Sequence, residues 1–172
     1  MTIAEFMKLV AICRVGRSAA SDASRYVLAQ SGAPVTMSST DVQTLLASTI
    51  VPGGRLSEHG ALCITCLWSF SQSANAKRMF VSFGGQTVLG TNQNAAPSAS
   101  LQTTHIIRNR GVLNRQVTTA TGNAGIGISQ GGATVLSVDT SRDASIDFYA
   151  SLADPKDTVT LEGYTVEVLN PC

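Results

Sequence analysis

Hydrophobic and polar positions alternate along much of this chain. In Ala61–Phe70 one face is Leu62, Ile64, Cys66, Trp68 and Phe70, apolar at every position. The other face mixes Ala61, Cys63, Thr65, Leu67 and Ser69. A period of two predicts a strand with one face buried in a core. Met79, Val81 and Phe83 repeat the pattern before Gly84-Gly85, and parity favours Phe83 over Phe80 for the core. Ile146, Phe148, Ala150 and Leu152 alternate with Asp147, Tyr149 and Ser151, and Asp154-Pro155 then predicts a turn. Near the end, Val159 and Leu161 share one parity while Tyr164, Val166 and Val168 share the other, with Gly163 at the switch. A β-bulge there returns all five to one face.

Weaker alternation marks strands at 41–51, 86–89, 101–108, 115–119 and 134–138. The sum is about eight strands separated by Gly, Asn and Ser loops, with no helical segments alternating between them, which excludes βαβ units. The expected fold is all-β: an antiparallel β-sandwich, jelly-roll-like. Leu62, Ile64, Trp68, Phe83, Ile146, Phe148 and Leu161 are expected between the two sheets.

The start of the chain follows another rule. Ile3, Phe6, Met7 and Val10 have the i, i+3, i+4, i+7 spacing of an amphipathic helix, and 6–15 also fits a strand or an extended arm. Residues 16–24 (GRSAASDAS) are small and polar and read as a connector. Residues 1–41 are therefore expected to form an N-terminal arm and connector, and 42–172 the sandwich domain. Ile3, Phe6, Met7, Leu9 and Val10 are the candidates for burial against a neighbouring molecule.

Composition narrows the function classes. Hydrophobic residues make up 44% of 172, which excludes disorder, while charged residues are only 13% and aromatics 5%. Nineteen Ser and eighteen Thr supply the polar surface instead. The net charge of +1 argues against a nucleic-acid or polybasic membrane partner. No run approaches the length of a membrane span, and the apolar stretch 3–15 carries Glu5, Lys8 and Arg14, so no signal peptide is expected. Charge is unevenly spread. From His59 to Val138 there is no acid against Lys77, Arg78, Arg108, Arg110 and Arg115, while acids dominate from Asp139 onward. Arg108, Arg110 and Arg115 against Asp154 and Asp157 are thus candidate charge partners between subunits, or else cancel within one sheet.

Candidate chemistry is sparse. Cys63 and Cys66 are three apart within a strand, so they point to opposite faces and cannot clamp one metal ion. With Cys13 and Cys172 they are too scattered for a disulfide scaffold and are expected as reduced thiols. Gly127-Ile128-Ser129-Gln130-Gly131 has the spacing of a nucleophile elbow, but both His59 and His105 precede the serine, against that family's chain order. Gly125-x-Gly127-x-x-Gln130 lacks the third glycine of a dinucleotide motif. Asp139/Asp143 and Asp154/Asp157 lie beside turn residues, where Asp caps its own backbone. No enzyme, cofactor or metal is expected. Sugar binding would use the amide- and hydroxyl-rich loops 71–76 and 90–100, with Tyr26, Tyr149 or Tyr164 as platforms.

Two segments carry a resemblance. Residues 55–85, with Gly60-Ala-Leu-Cys-Ile-Thr-Cys-Leu-Trp-Ser-Phe70, Ser73-Ala-Asn75, Lys77 and Phe83-Gly-Gly85, and the end, Asp157-Thr-Val-Thr-Leu-Glu-Gly-Tyr-Thr-Val-Glu-Val168, together resemble a β-sandwich module of tailed-bacteriophage virions. The module occurs in capsid decoration (cement) proteins and fibre-like proteins. The resemblance covers about 42–169 and implies a structural or adhesive virion component without enzymatic activity. A chain opening at its own Met1, without heptads, collagen repeat or long linker, is expected to be a standalone module that clips onto an existing lattice. The expected role is therefore a decoration protein on the capsid surface, assembled in the host cytoplasm. The resemblance implies as partners the major capsid protein and the chain itself, as a homotrimer, with no nucleic acid and no membrane expected. The alternative is the receptor-binding tip of a tail fibre.

Overall fold

The computed structural model describes residues 24–93, 99–122 and 131–171. These form eleven strands: β1 (Arg25–Ser31), β2 (Val35–Ser38), β3 (Thr44–Val51), β4 (Ala61–Phe70), β5 (Lys77–Phe83), β6 (Gln86–Gln93), β7 (Ser100–Asn109), β8 (Gln116–Thr118), β9 (Thr134–Leu136), β10 (Ala144–Leu152) and β11 (Thr158–Leu169). One sheet runs β1-β11-β4-β7-β8-β9, with β2 also on β11, and the other runs β3-β10-β5-β6.

The pairing is nested. β1 and β2 pair with β11, β3 with β10, β4 with β7 and β5 with β6, all antiparallel. A chain that pairs this way is one long hairpin folded across two sheets, which is the jelly roll. β1 and β2 act together as its first strand. β8 and β9, between β7 and β10 in sequence, extend the larger sheet beyond the eight strands expected.

The alternation is realised as read. Leu62, Ile64, Trp68, Phe83, Ile146, Phe148 and Leu161 are all buried between the sheets. Phe83 is inside, whereas Phe80 lies on the outer face with its ring over Gly90. Gly84 and Gly85, at φ +52° and +75°, make the two-residue turn between β5 and β6 that needs positive φ at both positions. The bulge falls where the parity changes: Leu161 pairs with Trp68 and Gly163 with Leu67, leaving Glu162 as the extra residue. Tyr164 then returns to the core side and stacks on Phe148, ring centroids 4.6 Å apart.

The boundary at 41 is corrected. The sandwich takes in β1 and β2, so residues 25–38 are sheet and not connector. β1 escapes pattern reading because it is an edge strand, half-buried along most of its length, with a register shift between Val27 and Ala29. Tyr26, Leu28 and Ala29 pack partly against the core, and Arg25 grips Glu167 of β11 through two hydrogen bonds of 2.9 and 3.0 Å. The strand then breaks at Gly32-Ala33-Pro34, where proline cannot donate to a ladder. Residues 1–23, including Ile3, Phe6, Met7, Leu9 and Val10, lie outside the described residues, as do Cys13, Cys172 and Ser129.

Candidate interaction surfaces

A jelly roll has two poles and two broad outer faces, and each collects residues from distant parts of the chain. The first pole is formed by the connections at 52–60, 84–85, 110–115 and 137–143, and the second by those at 39–43, 71–76 and 153–157.

The first pole holds Arg110 and Arg115, with Arg108 beside them at the end of β7. Arg55, Arg142, Glu58, Asp139 and Asp143 lie there too. A buried amide network fixes these loops. Gln116 Nε2 donates to Asn109 Oδ1 (2.8 Å) and to the Val138 carbonyl (3.0 Å), and its Oε1 accepts from Val138 N. Asn109 in turn donates to the Ser57 carbonyl and to Thr140 Oγ1. Asp139 accepts from the amide and hydroxyl of Ser141, which hold its pKa below the ordinary carboxylate value. Asp143 accepts from Gly53 N at 2.8 Å. Both are turn caps.

The second pole is organised around one buried ion pair that pattern reading missed. Lys77, at the start of β5, is 1% exposed. Its Nζ donates to Ser73 Oγ (2.6 Å) and to the carbonyls of Ser73 (3.1 Å) and Asn75 (3.0 Å), and stands 3.6 Å from Asp157 Oδ2. Asp157 also accepts from the hydroxyls of Ser71 and Ser73 and from Asn75 Nδ2. Burial works against its carboxylate, but these hydrogen bonds and the Lys77 ammonium prevail and lower its pKa. Loop 71–76 is thereby bound from inside to the β10–β11 turn, where Asp154 caps Lys156 N and meets Asn75.

Among the proposed inter-subunit charges, Asp157 is therefore withdrawn, because it is buried and already paired. Asp154 stands at the pole opposite Arg108, Arg110 and Arg115, so these groups do not cancel across one sheet. The expected long loop at 90–100 is also shortened, since Gly90 to Gln93 belong to β6 and Ser100 begins β7.

The outer faces are poor in free charge. On the larger sheet, threonines face one another across strands, as Thr36 with Thr160 (2.8 Å) and Thr65 with Thr104, among exposed Leu67, Ile106 and Val135. Glu167 is held by Arg25, and Glu162 accepts from Ser69. On the smaller sheet one row reads Leu45–Tyr149–Phe80–Gly90 across four strands. The next row is polar, with Asp147 accepting from Ser48 (2.6 Å) and Ser145 (2.8 Å). Of the three tyrosines, only Tyr149 lies on an outer sheet face as a platform would, because Tyr164 is stacked on Phe148 and the Tyr26 hydroxyl is buried.

The thiols behave as their spacing demands. Cys66 is buried in the core and Cys63 half-buried on the opposite face. Burial pushes the Cys66 thiol up to about 12 and also raises Cys63. His59 is exposed, whereas His105 on β7 is buried with neither ring nitrogen hydrogen-bonded, and burial holds its pKa down at about 4. Among the described residues no group of three or more His, Cys, Asp or Glu is placed to hold a metal ion, and no helix is long and apolar enough to cross a membrane.

No family model matches the chain, and no curated protein matches it. Among solved structures, a lectin from Bauhinia forficata in complex with GalNAc is 10% identical at a TM-score of 0.32, over 74% of this chain and 79% of that one. The VP2 subviral particle of infectious bursal disease virus is 12% identical at a TM-score of 0.33, and the virus of the Gx strain 11% identical at 0.31. Each of these viral alignments covers 86% of this chain but only 42% and 41% of the respective viral chains, so this chain spans about two fifths of their length. At such scores the likenesses carry no argument about function.

Proposed function

We propose that the chain is a structural protein of a virion, without enzymatic activity, which binds the outside of a bacteriophage capsid as a homo-oligomeric decoration protein. The observation that carries the reading is the outer face of the larger sheet. It presents threonine hydroxyls and exposed Leu67, Ile106 and Val135, while its acidic residues are held by neighbours on the same face. A broad surface with little free charge can pack many copies side by side without accumulating repulsion, and exposed aliphatic side chains favour contact with another protein. The resemblance of residues 55–85 and 157–168 to the phage virion module supports the same class. The N-terminal segment, with Ile3, Phe6, Met7, Leu9 and Val10, supplies attachment to a neighbouring copy or to the capsid shell: burial contributes about 1.5–3 kcal/mol for each large side chain, less the cost of ordering the segment.

A fibre-tip reading has one observation in its favour. Loop 71–76 is held by the buried Lys77–Asp157 pair, and a rigid loop is preorganised to bind a receptor. One experiment separates the two. The chain lacking residues 1–15 and the full chain are compared for recruitment to empty capsids and for blocking adsorption to host cells. Decoration predicts that the deletion abolishes recruitment and leaves adsorption unchanged. A full chain that never coats heads but blocks adsorption overturns decoration in favour of the fibre tip.

A further inference from the structure

Of the nine exposed large hydrophobic residues among the described ones, five belong to the strands at one side of the sandwich: Val27 and Val35 on β1 and β2, Val42 before β3, and Leu45 and Ile50 on β3. The topology explains why they gather there. β1–β2 is the open edge of the larger sheet and β3 the open edge of the smaller one, and in a jelly roll the first two strands stack at the same side. Among the described residues β3 pairs with β10 only. Its sequence, TLLASTIV, holds no charge and no proline over eight residues. Natural sheet edges are normally blunted by charge, proline or a covering segment, because a bare edge recruits another strand. The other edge of this sheet is partly covered, since Gly90 of β6 donates its N–H to the Thr121 carbonyl. β1 carries a charge, Arg25, which β3 lacks, although both strands shift register once and both are followed by a proline, Pro34 and Pro52.

We infer that the open edge of β3 is an interaction surface for the N-terminal segment of this chain, residues 3–10, which adds to it as a strand. Three facts on the chain fit this occupant to this edge. The segment is rich in large apolar side chains, Ile3, Phe6, Met7, Leu9 and Val10, and an added strand would lay alternate ones beside Leu45 and Ile50. The described chain starts at Ser24, whose carbonyl accepts from Asn170 N, at the pole where β3 ends in Val51. Between Val10 and Ser24 lie fourteen steps of chain, which extend to about 50 Å at most. β3 is about 26 Å long at 3.3 Å per residue, so the reach is ample. The apolar strip does not stop at the edge, because Leu45 is continuous with Tyr149 and Phe80 across the sheet.

The inference stands apart from the virion reading, since it concerns where the segment binds on this fold and not what lattice the fold serves. Amide hydrogen exchange on the full chain, on the chain lacking residues 1–15, and on the latter with a synthetic peptide of residues 1–15 tests it. Expected is about tenfold faster exchange of β3 amides after deletion, protection restored by the peptide, and no restoration in Leu45→Glu or Ile50→Glu. Far-ultraviolet dichroism and Trp68 fluorescence confirm that these two variants fold. Protection that strengthens with protein concentration gives the segment to a neighbouring copy, and concentration-independent protection gives it to the same molecule. Equal exchange of β3 with and without residues 1–15, or peptide protection confined to β6 or β9, overturns the inference. A deletion that opens β3 yet still coats capsids leaves this inference intact and removes only the segment's role in capsid attachment.

Discussion

At the residue scale, four buried side chains, Trp68, Lys77, Asp157 and His105, dominate the expected energetics. Trp68 is wholly enclosed between the sheets, and Trp68→Ala should cost about 3–5 kcal/mol through lost contacts and an unfilled cavity, read from urea unfolding. That burial was legible, because every second residue of β4 is apolar. The Lys77–Asp157 pair was not, since its partners lie eighty positions apart and only the turn chemistry of Asp154-Pro155-Lys156-Asp157 hinted at order there. Lys77→Met leaves the Asp157 carboxylate buried with no cation, and the expected loss is about 3–5 kcal/mol. His105 gives the fold a signature in pH. Its folded pKa is about 4 against an ordinary 6.5, so below pH 6.5 the unfolded chain takes up a proton that the folded chain refuses. Stability should be complete above about pH 6.5 and fall by up to about 3 kcal/mol as the pH drops towards 4. His105→Leu should flatten that interval. The further loss below about pH 4, where the depressed Asp157 carboxylate is finally protonated, should persist in the variant. An unchanged slope between pH 6.5 and 4 in His105→Leu would contradict the assignment.

At the scale of elements, strands buried on one face were legible and edge strands were not. β4, β5, β10 and β11 each place a row of apolar residues against a core, and the period survives even the bulge of β11. Gly163 marked that bulge in sequence, and the structure supplies the reason: a Cβ there would stand 2.8 Å from the Ser31 carbonyl oxygen at the end of β1. Gly163→Ala should therefore push β1 from β11 and cost about 1–3 kcal/mol, with amide exchange rising first in β1. Equal protection of β1 in both proteins would contradict that contact. β1 and β2 themselves carry too little alternation to be read, because an edge strand needs only partial burial and its register shift scrambles the parity. β8 and β9, at three residues each, are too short to show a period at all.

At the scale of the whole molecule, charge along the chain proved a poor guide to charge in space. An antiparallel chain visits both poles repeatedly, so the basic middle contributes Lys77 and Arg78 to one pole and Arg110 and Arg115 to the other, and the acidic end is likewise divided. What the fold leaves for assembly carries little free charge: the outer face of the larger sheet, with its hydroxyls and exposed Leu67, Ile106 and Val135, and the uncovered apolar edge of β3. Self-association is accordingly expected to tolerate salt, because apolar burial is not screened as surface ion pairs are. The central claim, that this jelly roll assembles through its N-terminal segment and is not a solitary domain, is tested most directly by sedimentation velocity. The full chain and the chain lacking residues 1–15 are run over a range of concentrations, in low and high salt. The account predicts a homo-oligomer for the full chain at both salts and a monomer for the truncated one. A full chain that sediments as a monomer at the highest concentration in both salts would contradict it.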